Sequence, residues 1–277
     1  MQEQLRAALE AIKGVKIPEF PQEIIELDNE INSKFANVHK IVAILEQNIT
    51  LSGEVMRLVN SPMVKLKQPA ENIREAVTGM GLEQLRNLVV AAAFKRIFNS
   101  GSLQRDILEH SVDVAFCMSY LTEYVHGVPR DQAYMMGLFH NAGSLMLAAK
   151  SPEVYEKLFS ISMVHPVRLL IKERELMGAD HCMVGVLVAK KWQLPMPIIN
   201  GIMLHHSANL QKISNEQVRL MVAMLQLSNA IVAEISIGAY RGEEMKLVEQ
   251  QAVAELMLDS GVVRELRANL ITCNHKS

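Results

Sequence analysis

Aromatic residues make up only 5 % of the chain, and cysteine occurs three times, at Cys117, Cys182 and Cys273, with no CxxC spacing. That pattern argues against a disulfide framework or a thiolate zinc site and suits a reducing, cytoplasmic setting. An excess of one charge is also missing. The 28 Lys+Arg against 30 Asp+Glu leave a formal net charge of -2, which argues against a nucleic-acid reader working through bulk positive charge. The most apolar stretch, Leu220 to Ile237, is interrupted by Gln226, Ser228, Asn229 and Glu234. It suits a helix inside a protein better than a lipid-facing span, so no membrane segment is expected. Nor does an apolar signal-peptide core follow Met1. Phosphate-cradling loops are absent as well: Gly79-Met-Gly81 lacks the strand, the later glycine and the lysine that such loops need.

What is present is helical periodicity. With 277 residues, 49 % hydrophobic and 17 Met, there is ample material for a core, and the thioethers suit irregular gaps between helices or adaptable contact faces. Apolar spacing and stop signals predict helices over residues 2–13, 22–31, 38–47, 53–59, 73–80, 82–98, 103–125, 131–149, 152–159, 166–177, 181–192, 197–206, 214–237, 245–258 and 262–271. Asn37 and Ser52 are expected N-caps, and Ser214 to Gln217 has capping-box spacing. A loop is expected over residues 238–243. The fold class is therefore all-α.

Chemistry gathers at histidine, the commonest metal ligand and the usual proton carrier near neutral pH. His110, His140 followed by Asn141, His181 and the pair His205-His206 all fall on or beside predicted helices. Any one of them alone reads as a packing or solvated side chain; five together raise a metal reading. Ser111 beside His110, with Asp113 a turn later, reads as a solvated helix face, because no nucleophile elbow accompanies it. Lys65-Leu-Lys67 with Arg74, and Lys95-Arg96, read as solvated basic groups.

The segment Gly137-Leu-Phe-His140-Asn141-Ala-Gly143-Ser144-Leu resembles the G-L-L-H-D-I-G-K-L stretch of HD-type metal phosphohydrolases. The order His110, His140-Asn141, His181, His205-His206, Asn229 is similar to the H…HD…H…HH…D series of their HD-GYP branch. A nearer resemblance is to the HDOD family, HD-related output domains of bacterial signalling proteins. Ile17-Pro-Glu-Phe-Pro21 resembles its L-P-x-L-P opening, Arg57-Leu-Val-Asn60-Ser61 its R-L-x-N-S, and Gly81-Leu-Glu-Gln-Leu-Arg86-Asn87-Leu-Val its G-x-x-x-L+NLV. His110-Ser111, Gly178-Ala-Asp180-His181, Lys191-Trp192-Gln-Leu-Pro195 and Leu204-His205-His206 follow in order.

This resemblance implies a multi-helix HD-like bundle with an additional N-terminal helical subdomain and C-terminal helices. The expected layout is an N-terminal helix over 1–16, an HDOD domain over 17–210 and a helical extension over 238–277. Within the domain, the helical subdomain covers about 17–100, and the HD-like part runs from about 101, with room to extend to 237. In the hydrolase pattern an aspartate at position 141 bridges two metals, one at position 229 is a further ligand, and a lysine at position 144 faces phosphate. Here Asn141, Asn229 and Ser144 stand in those places. Two divalent ions opposed only by neutral imidazoles and amides would leave buried charge uncompensated, at a cost of tens of kcal/mol in the Born limit.

The expectation is therefore a vestigial pocket of His110, His140, Asn141, Ser144, His181, His205, His206 and Asn229, with no catalytic residues, no resident metal and no cofactor. A single Zn²⁺ or Ni²⁺ on the histidines is the alternative. The corresponding function is a non-catalytic regulatory domain acting through a protein partner, without nucleic acid or membrane, and a homo-oligomer is among the candidate assemblies. Two alternatives stay open: a metal-dependent phosphohydrolase or cyclic-nucleotide phosphodiesterase with a rearranged His site, and a nucleotide or small-ligand sensor without turnover.

Overall fold

The computed structural model describes residues 1–19, 21–60, 66, 68–98, 101–162, 165–237 and 242–274. Phe20, Ser61, Lys65, Lys67 and most of the expected 238–243 loop lie outside them. Every regular element among the described residues is a helix, so the chain is all-α. It divides into two compact units, residues 18–99 and residues 1–17 with 100–277.

The smaller unit carries α2 (Gln22–Ile31), α3 (Val38–Glu46), α4 (Ile49–Val59), α5 (Ile73–Met80) and α6 (Leu82–Phe98). Short polar caps set their starts. Asn37 Oδ1 accepts from the His39 amide at 2.9 Å, as the cap reading predicts. Ser52 does not cap: α4 begins earlier, with Asn48 accepting from the Leu51 amide at 2.9 Å, while Ser52 Oγ donates to the Leu45 carbonyl at 2.7 Å. An amide oxygen one turn earlier captured the free backbone donors first. Asn60, from the R-L-x-N-S block, pins the following segment by bonding Ala70 through both its amide oxygen and nitrogen, each at 2.8 Å.

The larger unit begins with α1 (Gln2–Ala11) and resumes at α7 (Ser102–Leu121), α8 (Arg130–Phe139) and α9 (Ala142–Lys150). It continues through α10 (Pro152–Ser162), α11 (Pro166–Met177), α12 (His181–Lys191) and α13 (Met196–Leu204). A 3₁₀ turn, Leu210–Lys212, then leads to α14 (Glu216–Ile237), α15 (Glu243–Glu255) and α16 (Ser260–Asn274). The first helix is tied to this unit: Lys150 Nζ donates to the Lys13 carbonyl at 2.7 Å, and Lys191 Nζ to the Ile17 carbonyl at 3.0 Å. The single helix expected over 131–149 is instead two. The chain breaks at His140-Asn141, where Asn141 adopts a bridge-region conformation (φ -97°, ψ 16°). The cap of α14 is Asn215, accepting from the Val218 amide at 2.9 Å, and not Ser214.

Two glycines have conformational or steric reasons to be glycine. Gly178 ends α11 in the left-handed region (φ +84°) and turns the chain into α12. Gly143 lies where α9 meets α12: a Cβ there would sit 1.9 Å from the His181 carbonyl oxygen and 2.6 Å from the Gly185 nitrogen. The absence of a side chain lets the two backbones touch and brings Asn141 and Ser144 up to His181. Helix α14 is long and apolar enough to cross a membrane by length and composition, with a mean hydropathy of 1.5 over Glu216–Ile235. Yet 72 % of that window is buried inside the protein, as in a core helix. The methionines follow the same logic. Met118, Met135, Met136, Met146, Met183, Met221 and Met224 are buried, whereas Met196 and Met257 are exposed singly, so no Met-rich contact face emerges from them.

Candidate metal pocket of the larger unit

Five helices and the break between α8 and α9 deliver the sequence-predicted residues to one cavity. His110 comes from α7, His140 and Asn141 from the α8–α9 break, Ser144 from α9, His181 from the first turn of α12, His205 and His206 from the end of α13, and Asn229 from α14. All eight line the same space, together with Gln226 and, at its apolar rim, Phe159, Leu169 and Met245. The cavity is about 40 Å³. No carboxylate, lysine or arginine is among its described lining residues.

Hydrogen bonds fix the imidazole tautomers. His140 Nδ1 donates to the Gly137 carbonyl at 2.6 Å, and His205 Nδ1 to the Ile202 carbonyl at 2.7 Å. His181 Nδ1 donates to Glu173 Oε2 at 2.7 Å. In His140 and His205, Nε2 is left as the atom with a free lone pair, whereas His181 in its charged form carries a proton on Nε2 as well. His181 Nε2 lies 3.1 Å from His205 Nε2 and 3.1 Å from His206 Nε2. One ring nitrogen of each of these three histidines, with Cys182 Sγ, lies within 4.8 Å of the others. His110 is different: its Nε2 donates to Asn229 Oδ1 at 3.0 Å, and its buried Nδ1 has no partner.

Electrostatics separate these groups. Burial pushes His110 down to about 4 despite the Asn229 bond. Burial and then the neighbouring His181 push His205 down to about 3. His140 and His206 are likewise held well below the ordinary range, by burial first and the nearby imidazoles second. His181 goes the other way. Burial works to lower it, but the attraction of Glu173 prevails and raises it well above its usual value.

Glu173 is the residue that the sequence reading did not single out. It is fully buried and accepts from Tyr155 Oη at 2.6 Å, from the His181 amide at 2.9 Å and from His181 Nδ1. Its one sequence signal is its register: with Pro166 and Leu169 it falls on the buried stripe of α11. A carboxylate therefore does stand behind the pocket, one bond away from its wall, and the charge accounting based on neutral groups alone was incomplete. Tyr155 Oη also lies 2.8 Å from Ser144 Oγ, from which it can only accept while its own proton goes to Glu173, and Ser144 Oγ is 3.2 Å from Asn141 Oδ1. Gln226 Nε2 bonds the His205 and Ser207 carbonyls at 3.0 and 2.9 Å, fixing the His-His turn. Ser111 is not on a solvated face: it is buried and its hydroxyl donates to the Ile107 carbonyl at 2.8 Å.

A carboxylate-bridged pair of ions does not fit these residues. Asn141 and Asn229 are neutral and already hydrogen-bonded, and His110 donates its Nε2–H to Asn229 Oδ1. One ion on His181, His205 and His206 does fit the donor set, because imidazole nitrogens oriented by oxygens behind them are ordinary ligands for zinc.

The comparisons with known proteins agree with this architecture. An HDOD domain model matches residues 17–208. The crystal structure of an HDOD domain protein of unknown function from Geobacter sulfurreducens superposes with a TM-score of 0.67 at 22 % identity, covering 97 % of each chain. A Shewanella amazonensis protein named provisionally as a phosphohydrolase gives a TM-score of 0.69 at 23 % identity, over 95 % of this chain and 94 % of that one. Among curated proteins, an uncharacterised protein of Treponema pallidum is 28 % identical over 196 residues, 69 % of this chain and 38 % of its own. A Vibrio cholerae protein named cyclic di-GMP phosphodiesterase CdgJ is 23 % identical over 158 residues, 56 % of this chain and 35 % of its own. The chain thus spans little more than a third of the length of these curated relatives. With the matched span, the helical fold and the ordered histidines in agreement, the chain belongs to the HDOD domain family.

Proposed function

We propose that this chain is a non-catalytic, cytoplasmic signalling domain that acts by binding another protein and turns over no phosphoester. The observation that carries this reading is the His110–Asn229 hydrogen bond of 3.0 Å. Where a two-metal hydrolase would place a ligand pair, two neutral side chains satisfy each other. Asn141 at the bridging position spends its Oδ1 on Ser144, and no lysine or arginine is among the described lining residues to hold a phosphate. Transition-state charge on a transferring phosphoryl group would find no fixed cation opposite it.

A nucleotide sensor is less well supported, since small-molecule sites usually occupy about 300–1,000 Å³ and this cavity is about 40 Å³. The name of the Vibrio relative describes a protein of which only about a third is matched.

The test is a phosphodiesterase and phosphatase assay of the folded protein with added Mn²⁺, Ni²⁺ or Fe²⁺, using bis-p-nitrophenyl phosphate and cyclic dinucleotides. Release at the rate of buffer alone is expected. Metal-dependent turnover that disappears in a folded His206→Ala variant would overturn the proposal.

A further inference from the structure

A second cavity of the larger unit contains none of the histidines. It is a groove of about 400 Å³ between the 3₁₀ turn and the last turns of α15, with Asn209, Leu210 and Gln211 on one side and Gln251, Ala254 and Glu255 on the other. That volume falls within the range of about 300–1,000 Å³ usual for ligand sites. Both of these walls lie beyond residues 17–208, the span that the family model matches.

The groove is neutral. Its carboxylate, Glu255, is already taken: Arg219 Nε donates to Oε1 at 2.7 Å, and Gln211 Nε2 donates to Oε2. No lysine or arginine is among its described lining residues, so a phosphate would find no cation there and a charged peptide no opposite charge. The carboxamides of Asn209 and Gln251, by contrast, bond to no other described residue. Each offers donors and an acceptor, as a peptide group does. A helix satisfies its own main-chain groups and has no use for them, whereas an extended segment leaves its N–H and C=O groups in need of partners.

Apolar side chains continue the line. Leu247, Gln251 and Ala254 fall on one exposed face of α15, and Leu247 is 55 % exposed. Met257 follows at 90 % exposed, with its backbone in the left-handed region (φ +51°). There the Leu258 amide donates to the Val253 carbonyl and the Met257 amide to the Ala254 carbonyl, each at 3.2 Å. In this helix-ending turn glycine is the favoured residue. A methionine in its place carries backbone strain and gains little burial in exchange. Contact with a partner accounts for it, because an exposed thioether adapts to varied apolar surfaces.

We infer that this groove binds an extended, uncharged segment of the protein partner. Main-chain hydrogen bonds go to Asn209, Gln211 and Gln251, and apolar contacts to Leu247, Ala254 and Met257. At 1.5 Å per residue the step from Leu247 to Met257 is roughly 15 Å, the reach of about five residues of extended chain. Such a surface presupposes the binding-domain reading and gives its partner a chemistry.

The experiment screens the folded full chain against random hexapeptide segments displayed between flexible linkers. One enriched segment, synthesised with both ends capped, is then measured by fluorescence anisotropy. Enriched segments should lack Lys, Arg, Asp and Glu and carry apolar residues at alternate positions. Asn209→Ala and Gln251→Ala should each weaken binding by about 2- to 12-fold, the equivalent of one hydrogen bond. Ala254→Arg, which fills the groove, should abolish it. Met257→Gly should lower affinity by about 10-fold as a buried side chain is lost. Its melting temperature should nevertheless rise by about 2–4 °C as the strain is relieved. No enriched segment, enriched segments that are charged, or affinity unchanged by Ala254→Arg and Met257→Gly would overturn the inference. So would a wild-type dimer in sedimentation that Ala254→Arg dissociates, because the groove would then hold a second copy. These outcomes are separable from the signalling proposal: metal-dependent turnover overturns the non-catalytic reading and leaves peptide binding standing, whereas enriched segments that bind elsewhere overturn this groove alone.

Discussion

On one side of the cavity, His110 and Asn229 meet donor to acceptor and each meets a need of the other. Across it, the charged His181 brings its Nε2 to 3.1 Å from Nε2 of both His205 and His206, with Glu173 behind its other nitrogen. The residue type is the same on both sides; the difference lies in what stands behind each ring. An imidazole whose second nitrogen is anchored by a carbonyl stays neutral and presents a lone pair forward, whereas one anchored by a buried carboxylate is held in its charged form. One that faces an amide oxygen presents a proton and is closed to a metal. The shell behind a histidine thus decides its role, and that shell is not adjacent to it in sequence.

The largest expected effect that sharpens this contrast comes from Glu173→Ala. It removes the acceptor of His181 Nδ1 and of the His181 amide in a dry interior and leaves Tyr155 with Ser144 alone. A loss of about 3–5 kcal/mol is expected, as when one member of a buried pair is deleted, and urea unfolding at pH 7 measures it. On the closed side, Asn229→Ala leaves the His110 Nε2–H buried without an acceptor. The same unfolding assay should give a smaller loss, about 1–3 kcal/mol. Equal losses for the two variants would erase the distinction between the halves.

The smallest effect lies on the helix of His110, outside the pocket. Asp113 is pushed up to about 6 by burial first and by the charge of Glu109 second. Because its folded value exceeds the unfolded one, near 3.8, the folded state holds the proton more tightly. Stability is therefore lost as pH rises from about 4 to 6 and stays lower above that. Asp113→Asn should be more stable than wild type by about 1 kcal/mol at pH 7.5, after allowance for partial exposure, and indistinguishable from it below pH 4. Paired thermal melts at pH 3.8 and 7.5 read the difference. A gain that persists at the lower pH would mean that packing, not charge, is responsible.

Much of the helix pattern was legible because apolar spacing and caps are local. Residues 22–31, 73–80, 82–98 and 166–177 form helices over the spans their periodicity implies. The misread places are those where a local choice was decided elsewhere. Asn48 displaced Ser52 as a cap. The run 131–149 breaks at His140-Asn141, where α9 must abut α12 through Gly143. Ser111 looked solvated because its two-residue neighbourhood is polar, yet its face of α7 is buried.

The eight pocket positions were readable from their order, and they do share one cavity. Glu173 was not readable, since Lys172-Glu-Arg174-Glu has the look of a solvated charge run. Its importance comes from a contact eight residues on, made possible by the left-handed turn at Gly178.

By itself the sequence determined the helices, the family and the inventory of imidazoles and amides, because periodicity, capping and motif order are properties of neighbouring residues. Only the tertiary structure decided which imidazole nitrogens carry protons and which face one another. That depends on carbonyl, carboxylate and amide groups brought from other helices to within hydrogen-bonding distance, and no spacing along the chain encodes a tautomer.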